Sequence, residues 1–258
     1  MAATLVERSL RRTALAMGVA VGVLPLACWV WVVTMARDMY GAMTGPSAWM
    51  MTPDWDPGHL ILLWAMWAAM MAGMMLPTAT PIVLLYGGAL RNRPEPRDAG
   101  ARIYALAGGY LAVWTLFSLG ATALQRLLAG LLVLTPMMEA ASRPAAAALL
   151  AVAGLYQLTP FKRACLRACR SPLTVLGSYW REGIAGAFQM GVRHGLHCLG
   201  CCWALMLLLF AGGVMNLAVI LALTAWVAVE KLAPFGEQGT PIAGAFLLAS
   251  AVWMLSGY

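Results

Sequence analysis

His59 to Pro77 reads H-L-I-L-L-W-A-M-W-A-A-M-M-A-G-M-M-L-P. No charged residue interrupts it from Leu60 onward. A helix of this length and polarity spans a hydrocarbon core of about 30 Å. Similar runs recur on either side, in a chain of 258 residues that is 62% hydrophobic and 10% charged. Strict two-residue alternation is absent, so backbone groups in lipid must be satisfied within helices and not in a barrel. The expected fold is all-α: one integral membrane domain over residues 1–258, a polytopic transmembrane bundle of about seven spans. These fall near 14–36, 58–90, 103–125, 144–160, 195–213, 214–229 and 241–256.

The net charge of +7 is not a nucleic-acid signature, because the basic residues lie between apolar runs, where they set orientation. With the N-terminus on the cytoplasmic side, most of the 17 Lys and Arg fall inside. Arg37, Arg126 and Arg143 are left outside. Arg8, Arg11 and Arg12 precede an apolar run too long for a signal-peptide core, so this run reads as a retained first helix. Residues 58–90 would make one helix of about 50 Å. Pro77 and Pro81 are expected to break or kink it. The apolar piece Leu127–Leu134 is too short to cross and reads as a candidate re-entrant segment.

Chemistry concentrates in three stretches. Met190 to Met206 is M-G-V-R-H-G-L-H-C-L-G-C-C-W-A-L-M. On a helix His194, Cys198 and Cys202 share one face, with His197 and Cys201 on the next stripe. Imidazole, thiolate and thioether suit copper(I), zinc or an iron–sulfur cluster. Gly191, Gly195 and Gly200 thin the same helix, so another backbone can approach. Packing by small residues is the alternative. In 66–75, Met66, Met70 and Met74 repeat every four residues, as do Met71 and Met75. Such a ladder can pass copper(I) along a helix or serve as adaptable packing. In T-P-F-K-R-A-C-L-R-A-C-R-S-P, residues 159–172, Cys165 and Cys169 lie one turn apart among Lys162, Arg163, Arg167 and Arg170. A positive field lowers a thiol's pKa; the same helix could instead touch anionic lipid. Residues 159–206 thus form a cytoplasmic-side basic segment leading into a Cys/His-rich helix start. In that reducing compartment its cysteines should be free thiols. Span two, entered from outside, brings Met74 and Met75 near the depth of Cys201 and Cys202.

Two lesser candidates carry plain alternatives. Cys28 alone in the first span reads as a small apolar residue. His59 could bind an ion with Asp54 and Asp56, or stand at a capped helix start.

The stretches at 65–77, 158–172 and 195–206 together resemble a bacterial family of integral membrane proteins described as predicted metal-binding. The similarity covers about 58 to 230. It implies Cys165, Cys169, Cys198, Cys201, Cys202 and the Met66–Met75 stretch as metal residues.

The expected function is soft-metal handling, copper above zinc or iron–sulfur, in the bacterial inner membrane. His194, His197, Cys165, Cys169, Cys198, Cys201, Cys202, Met70, Met71, Met74 and Met75 are the candidate ligands. The expected partners are membrane lipid, a protein metal acceptor and other subunits of a membrane complex, with no nucleic acid. No phosphate-cradling G-x-x-x-x-G-K-[ST] and no Ser/His/Asp arrangement or paired carboxylates in the spans are present, which argues against nucleotide-driven transport and hydrolysis. A thiol redox protein and a metal-stapled structural subunit are the competing readings.

Overall fold

The computed structural model describes residues 11–41, 44–45, 56–91 and 98–256. Asp54, Trp49 and Trp55 lie outside them. The described residues are all-helical apart from one isolated bridge, Leu134 to Ala140. The helices are α1 (Arg11–Met39), α2 (Pro57–Arg91), α3 (Ala99–Gly130), α4 (Arg143–Gln157), α5 (Pro160–Arg170), α6 (Pro172–Tyr179), α7 (Gly183–Met206), α8 (Leu208–Gly212), α9 (Leu217–Leu232) and α10 (Gly236–Leu255).

Five segments are long and apolar enough to cross a membrane: α1, α2, α3, Gly183–Gly212 and α10. A sixth appears if α4 and α5, bent by 67°, form one broken span. Seven were expected. The shortfall lies in α4 and α9, with 15 and 16 residues. At 1.5 Å per residue they reach only about 23 Å.

The prolines of α2 do not end it. The helix runs 35 residues with Pro77 and Pro81 inside. Pro77 has no N–H to give the carbonyl four residues back. That carbonyl, on Gly73, accepts the indole N–H of Trp29 at 3.1 Å. Cys28 packs beside it: a Cβ on Gly73 would lie 3.3 Å from the Cys28 Cβ. The lone cysteine is therefore a small residue where α1 crosses α2. At the start of α2 the Asp56 carboxylate accepts the His59 N–H at 2.6 Å, a capping contact.

Leu127–Leu134 does not form an element of its own. Its first half completes α3, and its second half enters a turn with Leu131 and Leu132 exposed. That turn is tied down where the Val214 N–H donates to the Met138 carbonyl at 3.3 Å.

The fifth span starts at Gly183 and not near 195. Its first half buries Ala187, Met190 and Gly191 in the most extensive helix pairing among the described residues, α3 with α7. A Cβ on Gly191 would run into the Leu106 carbonyl, and one on Gly109 into the Phe188 carbonyl. Only glycine lets these backbones meet. Gly154 of α4 and Gly244 of α10 do the same for each other, each Cβ position lying 3.0 Å from the other's carbonyl oxygen. With its start moved back, α7 carries the Cys/His stretch mid-helix and not at its entrance.

Candidate metal centre

The buried face of α7 carries His194, Cys198, Cys201 and Cys202. Three neighbours close on it. From α3, the Tyr110 hydroxyl lies 2.9 Å from Cys198 Sγ and donates to the Met75 carbonyl at 3.0 Å. From α2, Met75 Sδ lies 4.0 Å from Cys202 Sγ. From α5, Cys169 is buried and lines one cavity together with His194 and Lys231. Sulfurs from three helices thus meet around one point, and the depth match expected between Met75 and the α7 cysteines appears as that 4.0 Å contact.

The fourth neighbour is cationic. Lys231, near the end of α9, is buried, and its Nζ stands 2.8 Å from Cys198 Sγ, 3.7 Å from Cys202 Sγ and 3.8 Å from Met75 Sδ. The Thr78 hydroxyl is 3.4 Å away. No carboxylate is among these contacts. The adjacent Glu230 is engaged elsewhere: it pairs with the buried Lys162 at 2.7 Å and accepts from Gln157 at 2.9 Å and Trp226 at 3.1 Å. The Glu230 clamp on α4 and α5 fixes the rotation of α9, and that rotation aims Lys231 at the sulfurs.

Among the described residues no three His, Cys, Asp or Glu side chains stand close enough to hold an ion in their present rotamers. The reason is visible. Cys201 and Cys202 turn their thiols back onto the Cys198 carbonyl, at 3.1 and 2.9 Å. The ammonium of Lys231 fills the space between the remaining sulfurs. The donor set suits a soft ion, and holding one requires these side chains to turn.

A cavity of about 170 Å³ opens beside this cluster, lined by Thr78, Cys169, Arg170, Pro172, His194 and Lys231 among others. His194 is 3% exposed, and its Nδ1 has no hydrogen-bond partner. Its ring packs on Tyr110 with centroids 5.7 Å apart. The second histidine goes elsewhere: His197 is half-buried on another face, in a groove with Tyr179, Arg181 and Arg193.

The basic helix α5 does not act on its cysteines as its composition led us to expect. The charge of its four cations is directed elsewhere. Lys162 pairs with Glu230, Arg167 with Glu237 at 2.9 Å, and Arg170 donates to the Glu230 and Pro234 carbonyls. Burial pushes the Cys165 thiol above its ordinary range. Hydrogen bonding to Cys198 and Cys201, and then burial, hold the Cys169 thiol well above it. Both therefore keep their protons at neutral pH unless an ion displaces them. Cys165 sits over Gly200, where an added Cβ would lie 2.7 Å from its sulfur.

Among the described methionines, Met75 is the one whose sulfur touches the cluster. Met70, Met71 and Met74 are fully buried in the apolar core. Sequence reasoning missed Lys231, Tyr110 and Thr78. Lys231 lies just past the span expected at 214–229. The Glu230–Lys231 pair closing an apolar run was a signal, but such pairs ordinarily face headgroups. Tyr110 in an apolar helix was another, since a buried phenol needs a partner.

A family model described as copper chaperone matches residues 64–254. No curated protein and no solved structure matches the chain.

Proposed function

The chain belongs to the copper chaperone family, and on that premise we propose that it is a multi-pass inner-membrane protein of bacteria that takes copper(I) as cargo. Cys169, Cys198, Cys201 and Cys202 are the thiolate ligands, Met75 the thioether, and His194 a ligand at the cavity side. The observation that carries this reading is the convergence of sulfurs from α2, α5 and α7 beside a cavity that also holds an unpartnered buried imidazole. Copper(I) accepts two or three soft ligands in low-coordinate geometries, so cargo can pass between overlapping sulfur sets. Each thiol that becomes a ligand releases its proton, which couples loading to pH. A protein acceptor on the cytoplasmic side completes the transfer. The cavity beside α5 is the port for it.

Met70, Met71 and Met74 belong to packing in this reading, and Cys165 and His197 stand outside the ligand set. The N-terminus is cytoplasmic, following the distribution of Lys and Arg.

The test is metal content of the detergent-purified chain after anaerobic copper(I) loading, with a parallel count of reactive thiols. About one copper per chain with several thiols protected is expected. Replacing Cys198, Cys201 and Cys202 together by serine should abolish retention while the protein still inserts. Stoichiometric copper in that triple variant would sink the assignment. Tightly held zinc would favour a structural staple, and a reversible thiol count without copper would favour redox exchange.

A further inference from the structure

Lys231 is a buried cation in an unusual setting. Buried lysines are ordinarily matched by a carboxylate, as Lys162 is by Glu230. Lys231 instead contacts two cysteine sulfurs, one thioether and one hydroxyl. These are the groups that would surround copper(I). The thiols of Cys198 and Cys202 are the acidic groups among these contacts, so the ammonium is held by the atoms a cargo ion needs. The same side chain lines the cavity of about 170 Å³, which offers the Nζ somewhere to go.

We propose that Lys231 is a resident counter-cation that occupies the sulfur cup and is exchanged for copper(I): the ammonium swings into the adjacent cavity as the ion enters, and returns to displace it on delivery. This rests on the copper(I) reading above. The balance is simple. Copper enters and leaves as the +1 ion, and no electron moves. The N–H···S contacts of Lys231 break as copper–sulfur bonds form. Each thiol that becomes a ligand gives its proton to water and takes one back from water as copper leaves, and Lys231 keeps its own throughout. A cation stands near the sulfurs at every stage, so their negative charge is never left bare in an apolar interior, where it would be costly. The exchange lowers the affinity for cargo and speeds its release, both of which a chaperone needs.

The alternative role makes the opposite prediction. If Lys231 stayed in place to neutralise a copper–thiolate complex, removing its charge would weaken binding. The experiment therefore titrates copper(I) against bicinchoninate in the full chain, comparing wild type, Lys231→Leu, which brings no new ligand, and Lys231→Arg. Exchange predicts that Lys231→Leu holds copper about tenfold more tightly and passes it to the chelator more slowly, with Lys231→Arg near wild type. Unchanged or weaker retention in Lys231→Leu overturns the proposal. A second measurement needs no variant: reductive methylation of the wild-type protein, read at Lys231 by mass spectrometry. The amine should be protected without copper and labelled once copper is loaded. Copper binding that is lost in the triple serine variant, with Lys231 labelling unaltered, overturns the exchange and leaves the copper reading standing. A wild-type protein that takes no copper overturns both.

Discussion

Replacing Met75 by leucine removes one sulfur from the cluster while keeping nearly the same volume, a swap that cores tolerate at less than about 1.5 kcal/mol. Copper(I) retention should fall about tenfold, equivalent to about 1.4 kcal/mol, in a bicinchoninate competition. Met70→Leu, Met71→Leu and Met74→Leu should each leave it unchanged, because the contacts to Cys202 and Lys231 are made by the Met75 sulfur. Equal loss at all four positions would restore the whole ladder as a conduit. The same contrast marks the limit of reading at the residue scale. Periodicity put His194, Cys198 and Cys202 on one face, and the structure buries that face. Periodicity could not separate Met75 from Met71, one turn away on the same stripe, because the difference lies in what α7 and α9 set against each. Nor could it tell that His197 turns outward to Arg193 and Tyr179, away from its sequence neighbour Cys198.

Glycines decide where the helices can meet, and two of them test it. Gly191→Ala puts a methyl group into the Leu106 carbonyl across the α3–α7 contact. Overpacking of this kind costs about 1–3 kcal/mol, and the thermal midpoint in detergent should drop accordingly. Because Tyr110 rides on α3, its contact with Cys198 should loosen as well, and copper retention should fall with stability. Gly108→Ala faces nothing within 4 Å, and better helix propensity gives it up to about 1 kcal/mol of stabilisation. Identical effects at the two positions would mean that the close α3–α7 approach is not what holds the bundle. Element positions were partly legible in the apolar runs. Their ends were not. Pro77 and Pro81 looked like breaks, but a tryptophan from another helix satisfies the carbonyl that Pro77 frees. The span expected near 195–213 left out a helical stretch from Gly183 whose Gly191 packs on α3.

For the whole molecule the distribution of charge makes a sided prediction. A cysteine introduced at Leu132, exposed in the turn after α3, should react with a membrane-impermeant maleimide in intact cells. One introduced at Ser171, exposed between α5 and α6, should react only after permeabilisation. A background with the natural cysteines replaced keeps the readout clean. The reverse pattern would invert the bundle and set the cavity beside α5 on the outer face. The span count bears on the same question. Helices α4 and α9 are short for a full crossing, yet α9 delivers Glu230 to the α5 clamp and Lys231 to the sulfur cluster. A short helix can end at the depth where its last residues are needed.

The sequence by itself determined the class of structure and the kind of chemistry. Long uncharged runs have to satisfy their own backbones and therefore become helices, and a face of cysteine and histidine is a soft donor set wherever it is placed. Only the tertiary structure decided which donors meet. Convergence depends on helix rotation and on close approach at Gly109 and Gly191, which no single helix encodes. It depends equally on the Glu230–Lys162 pair, which turns α9 so that Lys231, more than 150 residues from Met75, is the cation standing among the sulfurs.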